Sequence, residues 1–269
     1  EKGIDIKVVT TLHGTDITLV GSHPNYKTAV EFSINNSDVV TTVSESLKKD
    51  TLRLFNITKE IHVIHNFIDF EKYPEIDSAE CQRNTIANEK ERIITHISNL
   101  RPVKRAADVM DIFYKIQKEI PSKLLLVGEG PDREHIEFQA KELGILDKVL
   151  FLGNSNEVNK LLCYSDLFLL PSQTESFGLA ALEAMAARTP VISTNSGGLP
   201  EVNVQGVTGF LSDVGNTDEM AKNGIYILED LDRLQQFKQN ALAQAKRFSM
   251  QNVLPAYEDV YRQVCPNCC

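Results

Sequence analysis

Long hydrophobic runs are missing from this chain of 269 residues. The longest, such as Leu167–Leu170 and Leu124–Val127, are strand-sized, far short of the roughly 20 residues a helix needs to cross a bilayer. Cysteine is sparse and odd in number: Cys81, Cys163, Cys265, Cys268 and Cys269. That excludes a disulfide scaffold. Cys163 lies in an apolar helical stretch and reads as a small buried hydrophobe. The tail Cys265-Pro-Asn-Cys268-Cys269 has no second Cys/His pair of matching spacing to complete four zinc ligands, so a frayed terminus is the plainer account and no metal site is expected.

Positive charge is also in deficit. The chain has 28 basic against 37 acidic residues, a net charge of −9. Such a chain is repelled by phosphate backbones and anionic lipid, so nucleic acid and membrane surfaces are poor partners. A small anionic ligand is still compatible, because a pocket needs only a few aimed cations and backbone N–H groups. There is no internal repeat, low-complexity tract, Walker-type Gly-Lys-Ser/Thr or Gly-x-Gly-x-x-Gly. No Cys/His pair suggests a nucleophile, and His23, His62, His65, His96 and His135 have no ligand-like spacing. Glu1 is followed by no charged-then-apolar signal segment.

What is present is an ordinary globular composition, 42% hydrophobic and 24% charged, in a chain long enough for one or two domains. Strand-like runs at Ile4–Leu12, Asp38–Val43, Ile61–Ile64, Arg92–Ile97, Lys123–Val127, Lys148–Leu152, Asp166–Leu170 and Pro190–Thr194 alternate with helical patterns. The helices are expected at Tyr26–Asn35, Glu45–Phe55, Lys104–Lys118, Asp132–Leu143, Glu157–Cys163, Phe177–Ala187 and Asn252–Val264. This alternation predicts an α/β fold of βαβ units with a parallel sheet. The uniformly apolar strands predict cover on both faces. Ser44 is placed to cap the helix that follows it.

Composition divides the chain into residues 1–65, a polar linker at 66–91 carrying Pro74, a doubly wound domain at 92–248, and a closing helix and tail at 249–269. The first block holds only two or three strand–helix units. The expectation is therefore that it is part of a Rossmann-like domain whose earlier part precedes Glu1.

Four segments follow strands at the edge where open α/β sheets bind ligands. In Asp166-Leu-Phe-Leu-Leu-Pro-Ser-Gln-Thr-Glu175-Ser-Phe-Gly-Leu-Ala-Ala-Leu-Glu183 a strand, a loop and a helix follow one another. The N–H groups of Phe177, Gly178 and Leu179 would sit at the helix start, where they suit a phosphate. Glu175 and Glu183 would be self-defeating on that same anion but suit sugar or ribose hydroxyls. The blander alternative makes Glu175 an acidic first-turn residue and leaves Glu183 solvated. In Ser98-Asn-Leu-Arg101-Pro-Val-Lys104-Arg105 three cations open a helix against its dipole. An anion such as a departing diphosphate would compensate them. In Thr10-Thr-Leu-His13-Gly14-Thr15, His13 is a candidate acid, base or donor, although a lone His is more often structural. Ser193-Thr-Asn-Ser-Gly197-Gly198 is either a ligand-lining turn or a tight connection.

Together these segments resemble family 4 of the retaining GT-B glycosyltransferases. The Glu175–Glu183 pair within Ser-Phe-Gly-Leu-Ala-Ala-Leu-Glu carries the resemblance, with Asn99-Leu-Arg101…Lys104, Val127-Gly-Glu-Gly-Pro-Asp132 and Gly197-Gly-Leu-Pro-Glu201…Gly209-Phe210. It implies a GT-B fold with a complete C-terminal nucleotide-sugar domain and a partial N-terminal domain, onto which the stretch 249–269 packs back. Within the family, Thr10–Gly21, Glu31–Asp38, Val43–Lys48 and Ile64–Asp69 are similar to members that glycosylate L-malate. That implies transfer of N-acetylglucosamine from UDP-GlcNAc to the malate hydroxyl in the cytoplasm, the first step of bacillithiol biosynthesis, with no obligatory metal or other cofactor. Another acceptor, or UDP binding without turnover, is the alternative; homo-oligomerisation is left open.

The resemblance also implies roles. Arg101 and Lys104 bind the diphosphate, with Arg105 as substitute if the register shifts. Glu175, beside Ser176, holds the donor sugar and Glu183 the ribose. Phe177, Gly178 and Leu179 offer N–H groups, Gly153 and Asn154 lie near uracil, and His13 orients the sugar. Thr15 and Lys27 approach the malate carboxylates. Arg188-Thr189 replaces a turn that often contains Gly in relatives.

Overall fold

A computed structural model of the chain describes residues 6–21, 23–73 and 83–265. Ile4, Pro74, Cys81, Cys268 and Cys269, on which expectations above rest, lie outside the described residues. The chain forms two compact units. The first comprises Glu1–Phe67, Glu175–Phe177 and Phe248–Cys269, and the second Ile68–Thr174 with Gly178–Arg247.

In the first unit, β1 (Val9–Leu12), β2 (Val39–Thr42) and β3 (Ile61–Val63) form a parallel sheet in that order. β1 begins at Val9, later than the apolar pattern suggests. A helical turn at Asp16–Val20 and α1 (Pro24–Asn35) connect β1 to β2. α2 (Glu45–Leu54) connects β2 to β3 and is capped as expected, with the Leu47 N–H donating to Ser44 Oγ at 3.0 Å. A hydroxyl there satisfies one of the donors that a helix start leaves over.

The second unit is a six-stranded, all-parallel sheet. Its strands are β4 (Arg92–Ile97), β5 (Ser122–Val127), β6 (Val149–Gly153), β7 (Leu167–Leu170), β8 (Val191–Thr194) and β9 (Gly209–Ser212). The spatial order is β6-β5-β4-β7-β8-β9. The helices are α3 (Ala106–Glu119), α4 (Arg133–Glu142), α5 (Val158–Cys163), α6 (Leu179–Ala186), α7 (Leu199–Val202), α8 (Thr217–Leu228) and α9 (Leu231–Arg247). α10 (Met250–Val264) returns to the first unit, where the Tyr257 hydroxyl donates to the Ile64 carbonyl at 3.3 Å.

The apolar strands are covered on both faces. Ile94, Leu124, Leu126, Leu167 and Leu169 pack against Val109, Ile112, Phe113 and Ile116 of α3, a seam at helical spacing. On the other face Ile93 and Leu125 meet Ala87, Ile86, Leu161 and Tyr164. At the end of this layer the buried Asp166 carboxylate takes Arg83 and Lys238, each at 2.9 Å, and the Ile93 N–H at 3.0 Å. Burial raises its pKa, but the two cations and the N–H outweigh that and hold it below the usual carboxylate value.

Three elements escape the periodicity reading. β9 has four residues on the sheet edge, only two of them buried. α8 and α9 fill residues the pattern left unassigned; α9 buries only a narrow seam of Leu234, Phe237, Ala241, Gln244 and Ala245 among polar residues. Two expected helix starts move. α3 begins at Ala106, because Arg105 adopts a left-handed conformation (φ 50°) after a short turn at Pro102–Lys104. α6 begins at Leu179, because Gly178 has φ 100°. Cys163 is half-buried rather than fully buried.

Candidate active site

The order of the second sheet reverses between β4 and β7, whose neighbours lie on opposite sides. Loops leaving the carboxyl ends of two such strands part in opposite directions and open a crevice for ligands. The loop after β4 carries Ser98–Arg105, and the loop after β7 carries Pro171–Thr174 into Gly178 and α6.

Backbone bonds fix these loops against each other. The Gln173 N–H donates to the Val103 carbonyl at 2.8 Å. The Thr194 and Ser196 hydroxyls donate to the Ser172 and Gln173 carbonyls, both at 2.7 Å. The turn after β5 presses on Ser98: a Cβ on Gly128, which has φ 118°, would lie 1.8 Å from the Ser98 carbonyl oxygen. Only glycine fits there.

Arg101 is exposed at the start of the Pro102–Lys104 turn. Lys104 is half-buried, and its charge reaches the buried His96 imidazole. Burial, the larger cause, and Lys104 together push the His96 pKa down to about 4 against the upward pull of the Leu169 carbonyl. Arg105 differs from the expectation. Its Nε donates to Asp108 Oδ2 at 2.7 Å, so the first turn of α3 itself supplies the anion that this cation requires.

Glu183 lies in the second turn of α6, half-buried, and burial raises its carboxyl pKa. Tyr73 was not singled out from the sequence; burial, and secondarily the Glu183 charge, raise its phenol pKa. The first α6 bond to a loop residue runs from the Leu182 N–H to the Gly178 carbonyl. The helix-start N–H groups are therefore those of Gly178, Leu179, Ala180 and Ala181, which include Gly178 and Leu179 of the expected three and leave Phe177 ahead of the helix. Gly153 ends β6 with φ 63°, its carbonyl accepting the Gly128 N–H at 2.7 Å, and Asn154 beside it is exposed.

In the first unit, Glu175–Phe177 sits at the carboxyl ends of the three strands. Ser44, just beyond β2, donates its hydroxyl to the Ser176 carbonyl at 2.5 Å. Gly14, beyond β1, approaches Ser176 so closely that a Cβ there would lie 1.6 Å from Oγ. His65, beyond β3, meets the Phe177 ring at 5.6 Å and the Phe248 ring at 5.5 Å, with the two phenylalanines 5.7 Å apart. His13 is exposed beside this group; its N–H and that of Gly14 donate to Asp16 Oδ1 at 3.2 and 2.7 Å. Thr15 is exposed next to them, and Lys27 is on α1 with its ammonium 6.0 Å from the Phe55 ring centroid.

The structure thus places His13, Gly14 and Glu175–Phe177 in one unit, and Arg101, Lys104, Arg105, Gly153, Asn154, Gly178, Leu179 and Glu183 in the other. Among the described residues no group of three His, Cys, Asp or Glu could hold a metal ion. No described helix is long and apolar enough to cross a membrane. Sequence reasoning recognised Ser44 only as a cap. Its bond to Ser176 spans 132 residues and leaves no local signal.

Two family models match. Glycosyl transferases group 1 covers residues 77–244, and Glycosyltransferase Family 4 covers residues 2–72. The N-acetyl-alpha-D-glucosaminyl L-malate synthase of Bacillus anthracis is 44% identical over 97% of this chain and 69% of its own length. An uncharacterized glycosyltransferase of Methanocaldococcus jannaschii is 30% identical over 94% of the chain and 68% of its own length. Among solved structures, Anabaena HepE in complex with UDP and glucose superposes with a TM-score of 0.87 at 24% identity, over 96% of this chain and 72% of that one. The reversed strand order with its paired loops, the two family models and these relatives agree that the chain belongs to glycosyltransferase family 4, with the GT-B type of fold, and is an enzyme of the hexosyltransferase class.

Proposed function

We propose that the chain transfers N-acetylglucosamine from UDP-GlcNAc to the hydroxyl of L-malate with retention at the anomeric carbon. The observation that carries the donor side is the pairing of the Ser98–Arg105 turn with the β7 loop at the strand-order reversal, through Gln173 and Val103. Such a crevice suits a nucleotide. A UDP donor is further supported by the UDP in the Anabaena structure, and donor sugar and acceptor by the name of the Bacillus anthracis relative.

In this reading Arg101 and Lys104 hold the diphosphate, aided by the N–H groups at the start of α6. Arg105, engaged with Asp108, has the lesser part. Glu183 accepts hydrogen bonds from the ribose hydroxyls and Glu175 from those of the sugar. Gly153 and Asn154 lie against the base. His13 orients the sugar, and Thr15 and Lys27 meet the malate carboxylates.

The chemistry is a front-face displacement. The bond between the anomeric carbon and the phosphate oxygen breaks, and the electron pair leaves with UDP. The malate hydroxyl oxygen bonds to that carbon on the same face, and its proton passes to the departing phosphate oxygen. Cations and N–H donors stabilise the charge that develops on the leaving group, usually the largest catalytic contribution.

The test is UDP release from UDP-GlcNAc in the presence of malate, inositol phosphate or simple sugars. Malate-dependent release is expected. Release with another acceptor alone reassigns the acceptor, and UDP binding without release under any condition defeats the transfer reading for this chain.

A further inference from the structure

The Arg101 turn is held by a directed chain of hydrogen bonds that starts in the middle of the sheet. His96, next to last in β4, is fully buried. Its Nδ1 lies 2.8 Å from the Leu169 carbonyl oxygen of β7, and its Nε2 lies 2.8 Å from Ser98 Oγ. A carbonyl can only accept, so Nδ1 carries the proton. A neutral imidazole has one N–H, so Nε2 is an acceptor and the Ser98 hydroxyl donates to it. Ser98 Oγ keeps lone pairs for the Leu100 N–H, which points to it at 3.2 Å. The polarity is therefore fixed along the whole chain: Leu100 N–H to Ser98, Ser98 O–H to His96, His96 N–H to β7.

The link from Leu100 to Ser98 matters because of the residue it holds. Leu100 is fully buried with a left-handed backbone (φ 40°), a conformation that costs a non-glycine residue energy. It persists because both sides of the residue are held, the N–H by Ser98 and the carbonyl by the Asp132 N–H at 3.1 Å. The next residue is Arg101. Its direction of departure from β4 is set by the Leu100 dihedral angles.

We propose that His96 is a positioning residue, acting through Ser98 and Leu100 to aim Arg101 at the donor diphosphate. His96 touches no substrate in this account. Its burial, which keeps it neutral, preserves the single N–H and single lone pair that the chain requires. The inference rests on the UDP-sugar reading above and adds a group that fixes the geometry of its phosphate contact.

Two measurements test it on the whole chain. A long-range proton–nitrogen NMR spectrum of the histidine rings should show His96 with its proton on Nδ1; a proton on Nε2 would reverse the chain and overturn the proposal. Calorimetry with UDP should show affinity weakened about tenfold in Ser98→Ala, the size expected for one lost hydrogen bond. Ser98→Thr, which keeps the hydroxyl, should restore it. In a double-mutant cycle the loss from Ser98→Ala should vanish in an Arg101→Ala background, because the two act as one unit. Additive losses, or unchanged affinity in Ser98→Ala, would overturn the positioning role while leaving the donor reading intact. Absence of UDP binding by the unsubstituted chain would instead remove the donor reading, and this inference with it.

Discussion

Ser44 and Ser176 are joined by a 2.5 Å hydrogen bond from hydroxyl to backbone carbonyl, across 132 residues of sequence. The same oxygen accepts the Leu47 N–H and so starts α2. One buried atom thus caps a helix and anchors the peptide next to Glu175. Ser44→Ala should cost about 2 kcal/mol of stability, roughly half from the lost cap and half from the lost bond to Ser176. Urea unfolding measures this cost. Turnover should fall beyond what the stability loss explains, since Glu175 adjoins the released carbonyl.

Gly14 has φ 125°, and a Cβ on it would lie 1.6 Å from Ser176 Oγ and 2.6 Å from Ser176 Cβ. Rotating the hydroxyl relieves the first clash but not the second. Gly14→Ala should therefore destabilise the chain by about 2–3 kcal/mol or push Glu175–Phe177 out of place. A lowered melting temperature together with lost turnover is the expected pair of results.

Arg101→Ala should weaken UDP binding by about ten- to a hundredfold, the loss of one charge-assisted contact to phosphate. Glu175→Ala should spare UDP, which has no sugar, and remove most turnover with UDP-GlcNAc. Calorimetry and a coupled UDP-release assay separate the two effects. Equal UDP affinity in wild type and Arg101→Ala would defeat the phosphate assignment.

Burial raises the Glu183 pKa, so on acidification the carboxylate that accepts ribose hydroxyls is lost at a higher pH than for an ordinary glutamate. UDP affinity should begin to fall above the ordinary glutamate pKa of about 4.3. Glu183→Gln should bind UDP more weakly and lose this part of the pH dependence. Calorimetry between about pH 7 and pH 5 reads both.

His96 stays neutral in the folded chain down to about pH 4, whereas in the unfolded chain it takes a proton near pH 6.5. Between those values the unfolded state binds more protons, so stability must fall as pH falls. The total is about 3 kcal/mol, complete by about pH 4. Glu183 contributes with the opposite sign: its raised pKa lets the folded chain bind its proton first, which favours folding on acidification. Urea midpoints from pH 7 to pH 4 should show the net decline, steepest below about pH 6.5.

Much of this molecule was determined locally. Arg92–Ile97 was read residue for residue, because three isoleucines within six residues between polar flanks leave little choice. The parallel α/β class followed from strands and helices in alternation, and the resemblance to family 4 from short blocks such as Glu175–Glu183. Arg101 was singled out because residues just after a strand fall on the ligand edge of such sheets, and Glu183 because a second carboxylate flanking the helix-start N–H groups suits hydroxyls. Helix starts slipped where one residue took a left-handed conformation, at Arg105 and Gly178. The four-residue edge strand β9 and the narrow-seamed α9 were too faint in pattern to stand out.

Tertiary structure alone decided the rest. The strand order that sets β4 beside β7, the tie of Ser44 to Ser176, and the bond from His96 to Leu169 all depend on how the chain packs. Periodicity records which face of an element is apolar. It carries no record of which distant carbonyl a buried hydroxyl or imidazole meets, because that partner is chosen only when the elements pack and buried polar groups pair off.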